Sequence, residues 1–324
     1  MTERDRVFLT GATGFIGSHI LRELLAAGYA VRALRRSPSD PAQDDVEWIE
    51  GNLRDVGAFA RSLRGCRYLV HCAALYSFAP RDRREIRTVN VEGTASLMLA
   101  AHLAGIERAV LTSSSATDGH AHSGYHRSKL EQERAAFASR VPLVALLPTA
   151  PVGPGDRKPT PTGKLVLDFA RGKIVAKAPG DGGMNLVAVE DVARAHVAAL
   201  ERGIIGERYI VGGENLSMDD IWNMLSEITG RPMPKWRAPY ALALTAGYLE
   251  ELWCAITGAT PNVPLEGVRL ARERMYADSS NAHRDLGYTP TSVRAALERA
   301  VAWYREAGFV TGTGRRESDG RNLK

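Results

Sequence analysis

Three glycines spaced three residues apart, Gly11, Gly14 and Gly17, stand between a short β-branched and apolar run, Arg6-Val7-Phe8-Leu9-Thr10, and a segment with apolar residues at helical spacing, Ile16, Ile20, Leu21, Leu24 and Leu25. Strand, tight turn and helix in that order open a βαβ unit and commit the downstream chain to a parallel sheet. Glycine tolerates the turn and lets other backbone come close. The N–H groups that start the helix, with its dipole, suit an anionic pyrophosphate. The spacing departs from the Gly-x-Gly-x-x-Gly of many dinucleotide sites, so an ordinary turn followed by a helix-packing glycine is the competing reading. The flanking strand and helix favour a dinucleotide, held by Gly11, Thr13, Gly14, Phe15, Ile16 and Gly17.

Candidate strands at 30–34, 46–50, 67–71, 108–113 and 142–147 alternate with helical stretches at 15–27, 57–63, 84–104 and 124–138. That alternation predicts an α/β fold with a doubly wound parallel sheet covered on both faces. Beyond it, Pro148, Pro151, Pro154, Pro159 and Pro161 crowd into one loop before an apolar helix at 165–170. Strands at 185–189 and 207–211 are expected to return to the sheet around a helix at 192–200, and the chain after Gly213 reads as mostly helical. The expected organisation is a dinucleotide-binding domain over 1–155, to which 185–213 returns. A smaller, mostly helical substrate domain takes 156–184 and 214–310, and a Gly-rich polar tail over 311–324 is expected to be disordered.

Hydrophobic residues at 44% and charged residues at 24% exclude a disordered or fibrous chain. Lys and Arg outnumber Asp and Glu by 42 to 37, a net +5 to which the tail contributes through Arg315, Arg316, Arg321 and Lys324. No basic run interleaved with aromatics accompanies the excess, so nucleic acid is not an expected partner. Cys66, Cys72 and Cys254 are odd in number and form no Cys-x-x-Cys pair, which argues against a disulfide framework and a zinc site and for a reducing, cytoplasmic setting. The charged start, Met1-Thr2-Glu3-Arg4-Asp5-Arg6, runs into a strand rather than into a signal-peptide core. The longest apolar stretch, 238–259, is interrupted by Pro239, Gly247, Glu250, Glu251 and Gly258. It reads as a buried or capping helix rather than an integral membrane segment, with a membrane-surface helix as the alternative.

Where many NAD-binding chains present a carboxylate to the ribose, at the end of the second strand, Leu34 is followed by Arg35 and Arg36. Arginine there suits a 2′-phosphate and favours NADPH, with NAD possible; a solvated basic turn is the alternative. Asn52 and Leu53, after the third strand, are candidates to flank the adenine. Tyr125 and Lys129 lie four apart in a helical stretch and therefore share a face. They follow Thr112-Ser113-Ser114-Ser115 at the C-terminal end of the fifth strand, the edge where open α/β sheets bind ligands. An ammonium beside a phenol favours the phenolate and makes the tyrosine a usable acid–base, while a serine hydroxyl can hold the same carbonyl oxygen. A surface pair beside a strand cap is the alternative, and the glycine loop upstream weighs against it.

Thr10-Gly11-Ala12-Thr13-Gly14-Phe15-Ile16-Gly17, His71-Cys72-Ala73-Ala74, Asn90-Val91-Glu92-Gly93-Thr94, Thr112-Ser113-Ser114 and Tyr125-x-x-x-Lys129 together resemble the extended short-chain dehydrogenase/reductase superfamily, over nearly the whole chain. Lys158-Pro159-Thr160-Pro161-Thr162-Gly163, the run Gly206 to Asn215 and Gly287-Tyr288 resemble its hopanoid-associated sugar epimerase-like and dihydroflavonol reductase-like groups. The resemblance implies a Rossmann fold and a Ser-Tyr-Lys mechanism, with Ser114 as the serine and Ser115 as the substitute. It implies cofactor contacts from Ala73, Ala74, Tyr125, Lys129, Pro148 and Val152, no metal, and a homodimer formed through 84–104 and 124–138.

Eleven positions separate Ser114 from Tyr125, a shorter substrate-facing loop than the family usually carries. Its His120 and His122, and His126 beyond, read as solvated rather than catalytic. The Asn and Arg by which sugar-nucleotide epimerases of this superfamily hold a diphosphate do not appear in 147–154 and 183–191, whereas Pro148-Thr149 and Val152-Gly153-Pro154 resemble the dihydroflavonol reductase pattern. Reduction of a ketone or aldehyde on an apolar small metabolite is therefore the expected activity. A sugar or sugar-nucleotide epimerase with retained NAD is the second reading. A non-catalytic nucleotide-sensing protein is the third, disfavoured by the presence of Tyr125 and Lys129. Tyr76, Phe78 and 240–253 suit an apolar substrate or the core equally.

Overall fold

The computed structural model describes residues 5–38, 43–76, 80–118, 124–174, 176–177, 180–257, 268 and 272–310. Its main sheet has seven parallel strands: β1 (Arg6–Thr10), β2 (Ala30–Arg35), β3 (Val46–Glu50), β4 (Tyr68–His71), β5 (Arg108–Thr112), β6 (Leu143–Pro148) and β9 (Arg208–Val211). They lie in the order β3-β2-β1-β4-β5-β6-β9. Helices cover both faces, so the central strands carry no alternation: Val7, Phe8 and Leu9 are all fully buried, as are most residues of β6. On one face α1 (Phe15–Ala26) and α6 (Val189–Arg202) pack against each other and the sheet through Ile20, Leu24, Val192 and Ala199. On the other, α3 (Gly93–Ala104) and α4 (Gly124–Phe137) enclose a second core with Leu97, Met98, Leu111 and Phe8. Each such side chain contributes roughly 1.5–3 kcal/mol by leaving water.

Two expected helices take other forms. The stretch 57–63 is a pair of tight 3-10 turns, Val56–Ala58 and Ala60–Leu63, the first capped by the Asp55 carboxylate. The stretch 84–104 opens with α2 (Arg83–Ile86), widens into a π-helical segment at Arg87–Glu92, and continues as α3. The widening accommodates the buried Asn90, whose side chain accepts from Leu75 N at 2.7 Å and donates to Leu75 O at 3.0 Å.

A smaller sheet is built around β8 (Gly183–Ala188), flanked antiparallel by β10 (Glu214–Ser217) and parallel by β7 (Ala150–Val152) and β11 (Arg274–Met275). This corrects one expectation: of the two strands predicted to return to the main sheet, β9 does so and β8 does not. The divergence begins at Thr149, whose N–H donates to Val211 O in the large sheet while its hydroxyl donates to Asn185 in the small one. A parallel strand beside β6 requires a long crossover, which α6 supplies for β9. The small sheet packs with α5 (Pro161–Ala170), α7 (Met218–Thr229) and the helix Val293–Glu306 around Phe169, Trp222 and Tyr304. The region after Gly213 is accordingly mostly helical, with β10 and β11 as its strands.

The helix α8 (Tyr240–Thr257) exposes Leu242, Leu249 and Trp253, so of the two forms expected for this stretch, buried or capping, it does not take the buried one. Among the described residues, no helix is long and apolar enough to cross a membrane. Phe78, His120, His122 and the tail 311–324 lie outside the described residues.

Candidate active site

The C-terminal ends of β1, β4, β5 and β6 bring four predicted segments to one edge of the large sheet: Gly11–Gly17, Ala73–Ala74, Ser113–Ser115 and Pro148. The strand order reverses between β1 and β4, where open sheets of this kind form their ligand crevice. Gly11 has φ +82°, and a Cβ there would lie 2.7 Å from Ala73 N; a Cβ on Gly17 would lie 1.9 Å from Gly11 O. Both glycines are therefore required for the loop to close on the helix and on β4. Gly14 caps α1 without a side-chain hydrogen bond, leaving the first-turn amides uncapped by any described side chain. That arrangement fits the diphosphate of a dinucleotide, held by backbone amides at a helix N-terminus.

Other predicted cofactor residues have commitments of their own. Arg35 ends β2 opposite Glu50 in register, and its guanidinium pairs with that carboxylate at 3.2 Å and lies over the Trp48 ring. Its Nε is buried with no hydrogen-bond partner among the described residues, and Arg36 beside it is exposed. Asn52 is exposed and accepts from Arg54 N, whereas Leu53 is buried in the core against Gly93. Ala73 N donates to Thr10 Oγ1 at 3.3 Å, which fixes the segment beside the glycine loop. Val152 is buried in the core of the small sheet.

Of the catalytic candidates, Lys129 reaches from α4 to the end of β5. The backbone of Tyr125 lies in α4, one turn before Lys129; its side chain is outside the described residues. Lys129 is buried, and its ammonium donates to Thr112 O at 2.7 Å and to Gln132 Oε1 at 2.6 Å. Burial pushes its pKa down to about 8, against the opposing pull of Cys72 and Glu133. The serines divide by partner. Ser113 is buried and its hydroxyl donates to Glu133, whereas Ser114 is half-buried and accepts from Ala116 N at 3.3 Å, keeping its own proton to donate.

Sequence reasoning missed the polar interior beneath this edge. Glu133 is buried and held by Ser113, by Thr117 at 3.2 Å and by Arg208 of β9 at 2.6 Å. His71, expected only as part of a motif, is fully buried between Thr10 Oγ1 at 2.7 Å and Thr94 Oγ1 at 2.8 Å. Burial first, and Lys129 second, push its pKa down to about 3, so the ring is neutral. Gln132 joins the two groups, donating to Thr94 Oγ1 at 3.1 Å and to His71 Nε2 at 3.3 Å. The visible signal was positional: Gln132 and Glu133 follow Lys129 by three and four residues, on the face that must point inward with it.

Fold and loop define a Rossmann-type dinucleotide-binding enzyme. The model of the NAD dependent epimerase/dehydratase family matches residues 7–212. A Synechocystis protein carrying the dihydroflavonol 4-reductase name is 39% identical, over 94% of this chain and 96% of its own length. Sterol demethylase protein B of Methylococcus capsulatus is 37% identical, over 93% of this chain and 99% of its own. Among solved structures, gox2253 superposes with a TM-score of 0.80 at 35% identity, covering 95% of this chain and 100% of that one. The chain belongs to the NAD dependent epimerase/dehydratase family.

Proposed function

We propose that this enzyme reduces a ketone or aldehyde on an apolar small metabolite with NADPH, using Ser114, Tyr125 and Lys129. The observation that carries this reading is the buried Lys129, tied to Thr112 O at the sheet edge reached by the glycine loop. Gly11, Thr13, Gly14, Phe15, Ile16 and Gly17 would hold the diphosphate, and Lys129 the nicotinamide ribose. The position of Arg35 at the end of β2, with the exposed Arg36 next to it, supports a 2′-phosphate. The bound nicotinamide supplies the hydride that the carbonyl carbon accepts. Ser114 donates a hydrogen bond to the carbonyl oxygen, Tyr125 delivers its phenolic proton there, and the Lys129 ammonium stabilises the phenolate left behind. The product is the alcohol. The dihydroflavonol 4-reductase name of a relative matching almost end to end supports reduction over epimerisation.

The thiols Cys66, Cys72 and Cys254 are all free, which suits the cytoplasm. Leu99 and Leu103 stand exposed on α3, which suits a homodimer formed through that helix and α4; sedimentation tests it. Tyr125→Phe is expected to abolish NADPH oxidation against a panel of apolar ketones while binding NADPH as the wild type does. Retained turnover overturns the assignment. Protein purified with NAD bound and indifferent to NADPH would replace the reductase reading with the epimerase one.

A further inference from the structure

We infer that Gln132 is a positioning residue for Lys129, clamping the ammonium from beneath and tying it through a buried hydrogen-bond chain to the strand that carries the glycine loop. The inference rests on the catalytic reading of Lys129 and extends it to a residue with no contact to substrate.

The direction of each bond is set by chemistry. An ammonium has three donors and no acceptor, so the Gln132 group 2.6 Å from Lys129 Nζ is the amide oxygen, and its NH2 faces the other way. That NH2 donates to Thr94 Oγ1 and to His71 Nε2. His71 Nε2 is then an acceptor, the proton sits on Nδ1, and Nδ1 donates to Thr10 Oγ1, the residue that precedes Gly11. The Thr94 hydroxyl accepts from Gln132 and donates to His71 Nε2 at 2.8 Å, sharing that nitrogen's single lone pair with the longer Gln132 contact. The chain Lys129, Gln132, Thr94, His71, Thr10 is thus consistent in every link, and all five side chains are buried.

An amide in this place holds a cation without neutralising it. A carboxylate would pair with the ammonium and withdraw its field from the phenol. The nearby carboxylate, Glu133, is turned away toward Ser113, Thr117 and Arg208. With Thr112 O and Gln132 Oε1 occupying two ammonium protons, the third remains for the ribose or the phenol. Among the described side chains, the titratable and charged groups around Lys129 are the neutral His71 and the Cys72 thiol from β4 and its end, and the paired Glu133 from α4.

The test is NADH binding to the apo-enzyme, followed by fluorescence from about pH 6 to about pH 10. NADH lacks the 2′-phosphate, whose own titration would intrude. Wild-type affinity is expected to weaken through about pH 8 as Lys129 loses its proton. Gln132→Met, close in shape but without the acceptor, should lower that inflection by about one pH unit, and Gln132→Glu should raise it. Thermal melts verify that each variant folds, and Gln132→Glu carries the test if Gln132→Met does not fold. A merely structural role lowers the melting temperature and leaves the inflection in place, and that result overturns the proposal. Lys129→Met separates the two levels. If it abolishes the inflection while both Gln132 variants leave theirs unmoved, the positioning role alone falls. If Lys129→Met keeps the wild-type inflection, the catalytic reading falls and takes the inference with it.

Discussion

His71 at the end of β4 and His196 in α6 are both fully buried. His196 donates from Nδ1 to Val192 O and accepts from Thr112 Oγ1, each at 2.7 Å. Burial pushes His196 down to about 4 and His71 to about 3, from the ordinary 6.5. The unfolded chain therefore binds more protons than the folded one below about pH 6.5, and stability falls as pH drops toward those values. Each ring removes roughly 1 kcal/mol per pH unit in that window. Between pH 7 and pH 5 the wild-type urea midpoint is expected to drop steeply. His196→Gln, less stable at pH 7, should show the smaller drop. Residue chemistry of this kind was only partly legible in the sequence. The Tyr125–Lys129 spacing announced itself, because two reactive side chains at helical spacing beside a serine run suggest chemistry. Gln132 and Glu133 did not, because two polar residues in a charged helix look solvated until the partners across the fold, Thr94 and Arg208, are in place.

At the level of elements, alternation of strands and helices was readable because both faces of the large sheet are covered and its central strands are continuous apolar runs. The sheet to which β8 belongs was not readable, since 183–188 and 208–211 are both short apolar strands and the choice depends on which of them α6 returns to β6. The π-helical segment also left no trace in the sequence: its one extra residue per turn alters no periodicity over so short a length, yet it aims Asn90 at the backbone of Leu75. Asn90→Ala leaves both Leu75 groups without that partner. It is expected to cost about 3 kcal/mol in urea unfolding. It should also raise the amide exchange rate of 73–75 more than that of β1, since Asn90 anchors the first segment only.

Across the whole molecule, the two sheets are interleaved along the chain. It leaves the large sheet at Thr149, builds β7 and β8 in the small one, returns through α6 to β9, and leaves again for β10. A chain ended after residue 182 lacks α6 and β9 while leaving Ile20 and Leu24 of α1 without part of their core. It is expected to show no cooperative melting transition by calorimetry, although all six earlier strands of the large sheet are present. The same itinerary bears on birth at the ribosome. The strand Leu143–Pro148, buried along its whole length in the finished protein, emerges well before the neighbour at Arg208–Val211 that covers its outer edge. At about 5–20 residues per second the gap lasts several seconds, during which a row of unpaired amides and carbonyls beside apolar side chains invites a chaperone or another nascent chain.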